Sequence, residues 1–317
     1  MTDVWRPLTE TDANEWVRLV QAAEAVDRTG ENLDADDFAE LATATRADLA
    51  TGSVGVFRGD RLIASGVVWT QPGARGSHRV SLDGVVHPDA RRTGLGARLL
   101  AELERLGRER HAAIAPGLPL ELTAPCHDAN AGMAVMLSAA GYEPRRWFFD
   151  MRCDLTGDLA EVPVPDGLHL RPYPEDDEPV RVALNEFFAE HWGHQDFTPE
   201  TWKEITTGHA YRPDLSFLLH DDAGEIAALV LSDHYPADHA QTGVKELWIA
   251  DVGTRKSLRG KGLATALLTH TLRRARAAGF ERAGLDVDTG NPTGALGVYE
   301  RIGFTVSTRW TVYGKTA

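Results

Sequence analysis

Cysteine is scarce in this 317-residue chain: Cys126 and Cys153 are the two present, and no CxxC spacing surrounds either. That excludes a disulfide scaffold and a cysteine-based zinc site, and it fits a reducing cytoplasm. Positive charge is also short, with 33 Lys and Arg against 47 Asp and Glu, a net charge of −14. A surface of that sign repels a phosphate backbone, so no nucleic-acid partner is expected, whereas a small cationic or amine substrate is attracted. No apolar run approaches the roughly 20 residues that span a bilayer, and Met1 to Pro7 has neither a basic nor an apolar leader region, so neither membrane insertion nor export is expected. The remainder is ordinary globular composition, 43% hydrophobic and 25% charged, at a length that predicts two domains. The oligomeric state is left open.

An internal repeat organises the chain. Arg91-Arg92-Thr93-Gly94-Leu95-Gly96 recurs 168 residues later as Arg259-Gly260-Lys261-Gly262-Leu263-Ala264, and the same offset pairs Asp83 with Asp251. Nearby offsets pair Arg6-Pro7 with Arg171-Pro172 and Gly141-Tyr142 with Gly303-Phe304. Landmarks in one order at nearly one spacing mean duplication. The spacing predicts domains over 1–155 and 168–317, joined by a proline- and glycine-bearing linker over 156–167. Within the second copy, alternation predicts strands at 168–170, 216–220, 225–232, 245–253, 283–287 and 305–312, and helices at 179–191, after Gly262, and at 293–301, a mixed α/β pattern. The acid-rich run 29–37 reads as a charged helix start.

In both copies a strand is followed by a basic, glycine-bearing turn that opens a leucine-faced helix. The first amides of a helix lack intrahelical partners, and glycines let a bulky anion approach them, so this arrangement can cradle phosphate. A Walker A loop is excluded because Gly262 follows Lys261 instead of preceding it, and a dinucleotide fingerprint fails where Thr265 and Leu99 stand in place of a third glycine.

What remains, Arg-x-x-Gly-x-Gly/Ala between a strand and an apolar helix, resembles the pyrophosphate-binding motif of the GNAT superfamily of acetyl-CoA-dependent N-acetyltransferases. The run from Asn291 through Ala295 and Tyr299 to Gly303-Phe304 is similar to the superfamily's second signature. The resemblance spans nearly the whole chain as a tandem pair, an arrangement similar to that of the mycothiol synthases, whose C-terminal copy is the active one. It implies an α/β fold of two tandem GNAT-like domains, each a twisted mixed β-sheet flanked by helices and splayed in its middle to admit acetyl-CoA. By the same resemblance Val252, Gly253 and Thr254 lie along the pantetheine. Arg259, Gly260, Lys261, Gly262, Leu263, Ala264, Thr265 and Asn291 hold the cofactor, and Arg91, Arg92, Gly94 and Gly96 form a second cradle in the first copy.

Acetyl transfer needs a neutral amine, yet an alkylammonium titrates near 10, so a carboxylate base or a desolvating acidic pocket must remove its proton. Glu246 and Asp251 lie on the expected central strand, Glu246 sharing a face with Trp248 and Asp251 re-aimed there only by a bulge. For both, a structural acid is the competing reading, and the pairing of Asp251 with Asp83 of the less active copy weighs further toward a structural role for Asp251. Tyr299 can protonate the leaving thiolate, against the simpler reading of a packed helix tyrosine, and an amide near Val252 can donate to the developing oxyanion. The first copy has Leu137 where the second has Tyr299, so it is expected to bind a CoA-like ligand or act as scaffold without catalysing. His191, Trp192 and His194 are candidates for the acceptor wall, against plain helix-end packing; with no third ligand nearby, no metal is expected. Trp310 to Tyr313 read as an edge strand closing the same pocket. Two function classes follow: an N-acetyltransferase acting on a small-molecule amine, and a non-catalytic acyl-CoA-binding sensor or scaffold. Tyr299 favours the first.

Overall fold

The structure, a computed structural model, describes residues 2–70, 74, 76–290 and 294–317. It divides into two compact units, Met1–Trp147 with Trp310–Ala317, and Phe148–Arg309. The segment 156–167, expected to link two domains, lies inside the second unit.

In chain order the first repeat contributes β1 (Val4–Arg6), α1 (Ala13–Asp27), α2 (Ala35–Thr43), α3 (Leu49–Gly52), β2 (Ser53–Arg58), β3 (Arg61–Trp69), β4 (His78–Val86), α4 (Leu95–Ile114), β5 (Leu120–His127), α5 (Ala131–Ala139) and β6 (Glu143–Asp154). The second contributes β7 (Leu168–Pro172), α6 (Glu178–Phe188), α7 (Pro199–Thr206), β8 (Phe217–Asp221), β9 (Ile226–Asp233), α8 (Pro236–Thr242), β10 (Glu246–Thr254), α9 (Leu263–Ala277), β11 (Arg282–Asp288), α10 (Ala295–Ile302) and β12 (Thr305–Thr316). The strand order is β1-β2-β3-β4-β5-β12 in the first unit and β7-β8-β9-β10-β11-β6 in the second. The last strand of each repeat thus completes the other unit's sheet: β6 runs antiparallel to β11 from Phe148↔Asp288 to Asp154↔Arg282, and β12 runs antiparallel to β5 from Trp310↔His127 to Thr316↔Glu121. Trp310 to Tyr313, expected at a pocket edge of the second domain, instead pair with β5 in the first unit.

Each sheet has one parallel pair, and that pair is short. β4 matches β5 only from His78↔Leu120 to Ser81↔Thr123, and β10 matches β11 only from Glu246↔Arg282 to Trp248↔Gly284. Both β4 and β10 run on for several residues paired to one neighbour alone, so each sheet opens along that seam. The opening sits beside the following helix, whose apolar stripe anchors it. Leu263, Leu267, Leu268 and Leu272 of α9 are at most 2% exposed, packed with Ala228, Val230, Leu247 and Leu285, and each contributes about 1.5–3 kcal/mol by leaving water. Asp34 accepts from the amides of Asp36 and Asp37, and the Asp37 carboxylate returns to Asp34 N, so the acid-rich run begins its helix only at Ala35.

The turn before α4 contains a left-handed non-glycine residue, Arg92 at φ 63°, where the second unit has Gly260 at φ 77°. A side chain in that region costs about 1 kcal/mol. Arg92→Gly is therefore expected to match or exceed wild-type stability by up to that amount, once the extra chain entropy of glycine is offset. A fall of more than about 1 kcal/mol in chemical denaturation would show that Arg92 makes a contact that outweighs its strain.

Candidate active site

The turn between β10 and α9 is built so that backbone, not side chains, lines it. Gly260 and Gly262 hold φ 77° and 83°, and a Cβ added at either would meet nothing within 4 Å. Among the described residues no side chain caps α9. Its first amides therefore lie beside open space, and the residues present fit a diphosphate. Lys261 is exposed and makes no ion pair among the described residues.

Arg259 behaves differently from expectation. Its guanidinium donates to Thr254 O at 3.2 Å and to Phe187 O at 2.8 Å, tying the turn to the end of α6. Arg91 does the same in the first unit, donating to Val86 O at 2.9 Å and pairing with Asp27 of α1 at 2.6 and 2.7 Å. Both arginines clamp the turn to the repeat's first helix. Arg255 and Lys256 are likewise engaged, with Asp221 at 2.7 Å and Glu190 at 2.6 Å. Gly253 is buried, and a Cβ there would lie 3.0 Å from the Phe187 ring, so glycine lets α6 approach the splayed strand. Val252 and Thr254 flank it, half-buried. Leu263 is core, Ala264 and Thr265 complete the first turn of α9, and Asn291 lies outside the described residues.

The bulge needed to re-aim Asp251 is present. Pairing with β9 runs Trp248↔Asp233 and Ile249↔Ser232, then resumes at Asp251↔Leu231, leaving Ala250 as the extra residue. The corresponding pairing of β3 with β4 has no such irregularity. Burial, then repulsion from Asp233 and Asp286, pushes the Asp251 carboxyl up to about 7. Glu246 is placed otherwise. Its carboxylate sits between the Arg152 guanidinium at 2.9 Å and that of Arg282. The same register position in the first unit carries the same cross-strand pair with its signs exchanged, Arg79 with Glu121 at 3.1 Å. Recurrence in both units marks Glu246 as a sheet-pairing residue.

Tyr299, on α10, is 8% exposed, and its hydroxyl has no hydrogen-bond partner among the described residues. Burial raises its phenol well above the ordinary range, and the nearby carboxylates of Asp286 and Asp251 raise it further. Phe304 N donates to Tyr299 O at 3.0 Å, as Tyr142 N donates to Leu137 O at 3.0 Å, which fixes the buried Leu137 as the first unit's equivalent.

Sequence reasoning missed the rest of this acidic wall. Asp286 of β11 lies directly opposite Asp150 of β6, and Asp288 follows on the same face. Burial, then repulsion from Asp150, pushes the Asp286 carboxyl up to about 6. The available signal was an aspartate at alternate positions inside an otherwise apolar strand; Asp150 had none, because β6 belongs to the other repeat. Of the three acceptor-wall candidates, His191 reaches this cluster, its Nε2 4.0 Å from Asp288 Oδ2, and Trp192 packs on Phe148 with ring centres 6.4 Å apart. His194 turns toward Asp196 at 3.6 Å and packs between Phe188 and Phe197, apart from the wall.

Known proteins resemble this chain in sequence and fold. Residues 16–119 and 178–304 match the acetyltransferase (GNAT) family, once in each repeat. The mycothiol acetyltransferase of Thermobispora bispora is 33% identical over 231 residues, 72% of each chain, and that of Geodermatophilus obscurus is 30% identical over 237 residues, 74% of this chain and 73% of the other. A GCN5-related N-acetyltransferase from Sphaerobacter thermophilus superposes with a TM-score of 0.77 at 26% identity, covering 99% of this chain and 95% of the other. A tandem GNAT protein of the clavulanic acid biosynthesis pathway shares the fold, with a TM-score of 0.72 at 18% identity over 99% and 98% of the two chains. No helix among the described residues is long and apolar enough to cross a membrane. The chain belongs to the acetyltransferase (GNAT) family and is an acyltransferase built from two GNAT repeats in tandem.

Proposed function

We propose that the second unit transfers an acetyl group from acetyl-CoA to the amine of a small molecule, with Asp251 as base and Tyr299 as acid. The observation that carries this is a strand bulge at Ala250 that re-aims Asp251, whose carboxyl is pushed up to about 7, at the seam beside a glycine cradle, with Tyr299 close enough for Asp251 to raise its phenol. The amides of residues 260–265 and the ammonium of Lys261 hold the diphosphate; Arg259 positions the turn. Val252, Gly253 and Thr254 offer the strand edge that β11 leaves open.

Acetyl-CoA, when bound, supplies a thioester carbonyl. Asp251, ionised above about pH 7, takes one proton from the incoming ammonium. As the C–N bond forms and the C–S bond breaks, Tyr299 gives its proton to the departing thiolate, and the second proton lost by nitrogen restores the phenol. Protonation of Asp251 removes one of the two charges that oppose ionisation of Tyr299, so the first transfer eases the second. A Val252 amide donates to the carbonyl oxygen as charge develops there.

The first unit keeps Gly94, Gly96, Arg91 and Arg92 but has Leu137 for the acid and no bulge, and it serves as a ligand-binding or scaffolding domain. The reducing cytoplasm suits the two free thiols, Cys126 and Cys153. The relatives' name adds mycothiol-type compounds to the acceptor panel.

The test is release of free thiol from acetyl-CoA across a panel of small amines. Amine-dependent release is expected. If acetyl-CoA raises the melting temperature while no amine releases thiol, the sensor reading replaces this one. Glu246→Gln separates the two carboxylates: turnover stays within about threefold, while stability falls by about 2 kcal/mol because Arg152 and Arg282 lose their shared partner in a partly solvated sheet. A hundredfold loss of turnover without destabilisation would return the base role to Glu246.

A further inference from the structure

At the closed end of the second unit's seam one side chain spans both strands. Trp248 and Gly284 form the last parallel pair before β10 and β11 part. A Cβ added at Gly284 would lie 2.7 Å from Trp248 Cε3 and 2.9 Å from Cζ3, so the indole leans across from its own strand and rests on the bare backbone of the next. Arg152 of β6, the residue paired with Gly284 on its other side, holds the ring there. Its guanidinium lies 4.9 Å from the ring centre and is tied to Glu246 at 2.9 Å, a carboxylate shared with Arg282. Glu246, Arg152, Trp248 and Gly284 thus make a fixed cover over the apex of the seam. The fold does not demand it. In the first unit the pair at this register is Ser81 with Thr123, and the tryptophan of that row, Trp69, stands on β3 instead.

Resting on the transfer reading above, we propose that Trp248 sets the length of the acyl group that the second unit accepts, admitting acetyl and excluding hexanoyl, and that Arg152 is the positioning residue that holds the indole in place. A cofactor whose diphosphate sits on residues 260–265 and whose pantetheine follows Val252 to Thr254 directs its acyl end back along β10, toward Trp248. Val252 pairs with Val230 and Trp248 with Asp233, three residues on along β9, so about 10 Å of seam separates the two. Over that length the gap between β10 and β11 falls to one strand spacing, about 4.8 Å, at the point where the ring covers it. An acetyl methyl stops short of the cover. A hexanoyl chain, four methylenes longer, has to lodge between strands already in contact or lift the indole off Gly284 and away from Arg152.

The experiment compares acetyl-CoA with hexanoyl-CoA on the full chain, by equilibrium binding and by kcat/KM for thiol release with an amine of the panel. The wild type should favour acetyl-CoA by at least about 100-fold in kcat/KM, since a single methylene against a fixed wall is worth about 10- to 200-fold. Trp248→Leu keeps an apolar side chain but gives up the reach across Gly284, and it should cut that ratio below about tenfold, chiefly by raising the hexanoyl value. Arg152→Gln should move the ratio in the same direction and Arg152→Lys should restore most of it. A merely structural role for Arg152 would instead lower both acyl-CoAs alike. Should Trp248→Leu fail to fold, the two Arg152 variants decide the matter by the same ratio. Equal use of the two acyl-CoAs by the wild type, or a ratio unmoved by Trp248→Leu and Arg152→Gln, overturns the length gate and leaves acetyl transfer standing. If no amine releases thiol, the transfer reading falls; the affinity ratio then upholds the gate if it drops in Trp248→Leu and overturns it if it does not.

Discussion

Asp251→Asn is expected to lower turnover by about 10²- to 10⁴-fold and, at pH 8, to make the protein more stable. The loss follows from removing the base, whose contribution falls in that range. The gain follows from linkage. Burial and the neighbouring acids raise the folded-state pKa of Asp251 from an ordinary carboxyl value near 3.8 to about 7, so the folded protein holds a proton that the unfolded chain has already released. The ionised carboxylate therefore costs nothing below pH 3.8, costs more as pH rises, and costs the full amount above pH 7. The full linkage value is discounted because solvent reaches into the seam, leaving a gain on the order of 2 kcal/mol for the asparagine variant. Thermal unfolding at pH 8 and pH 4 reads it: the variant should gain several degrees at the higher pH and nothing at the lower. In the wild type, kcat/KM should fall about tenfold per pH unit below about 7 and level off above it. A stability gain without loss of turnover would make Asp251 a buried structural acid and no more.

Tyr299→Phe is expected to lower turnover by about 10- to 1000-fold with acetyl-CoA affinity nearly unchanged. The phenyl ring keeps its packing against Phe304, with ring centres 6.0 Å apart, so the variant removes one oxygen and little else. Among the described residues the hydroxyl has no hydrogen-bond partner to abandon, so stability should stay within about 0.5 kcal/mol of wild type. Nature has made the harsher change in the first unit, where Leu137 fills the equivalent place. Single-turnover rates beside equilibrium titration of acetyl-CoA separate chemistry from binding; an unchanged rate would remove Tyr299 from the mechanism.

The cradle was legible in the sequence because left-handed backbone selects glycine locally: Gly94, Gly260 and Gly262 sit at fixed offsets, all with φ between 77° and 83°. The leucine stripe of α9 was legible for the same reason, a period set within one helix. What could not be read depends on distant chain. Asp150 and Asp286 are separate in sequence and meet only because β6 crosses into the second unit's sheet, and no local pattern announces an exchanged strand. In sequence Glu246 had the simpler geometry and Asp251 needed a bulge; Arg152, arriving on that exchanged strand, reverses the order by engaging Glu246. Arg259 looked like a phosphate ligand because it is basic beside a glycine turn, whereas its geometry answers a different need, the orphan carbonyls of Thr254 and of Phe187 near the end of α6.

The most direct measurement is a crystal structure of the full chain with acetyl-CoA. The account predicts the diphosphate on the amides of residues 260–265, the pantetheine along Val252 to Thr254, and the acyl sulfur within hydrogen-bond reach of the Tyr299 hydroxyl. A diphosphate bound elsewhere, or a sulfur far from that hydroxyl, would contradict it.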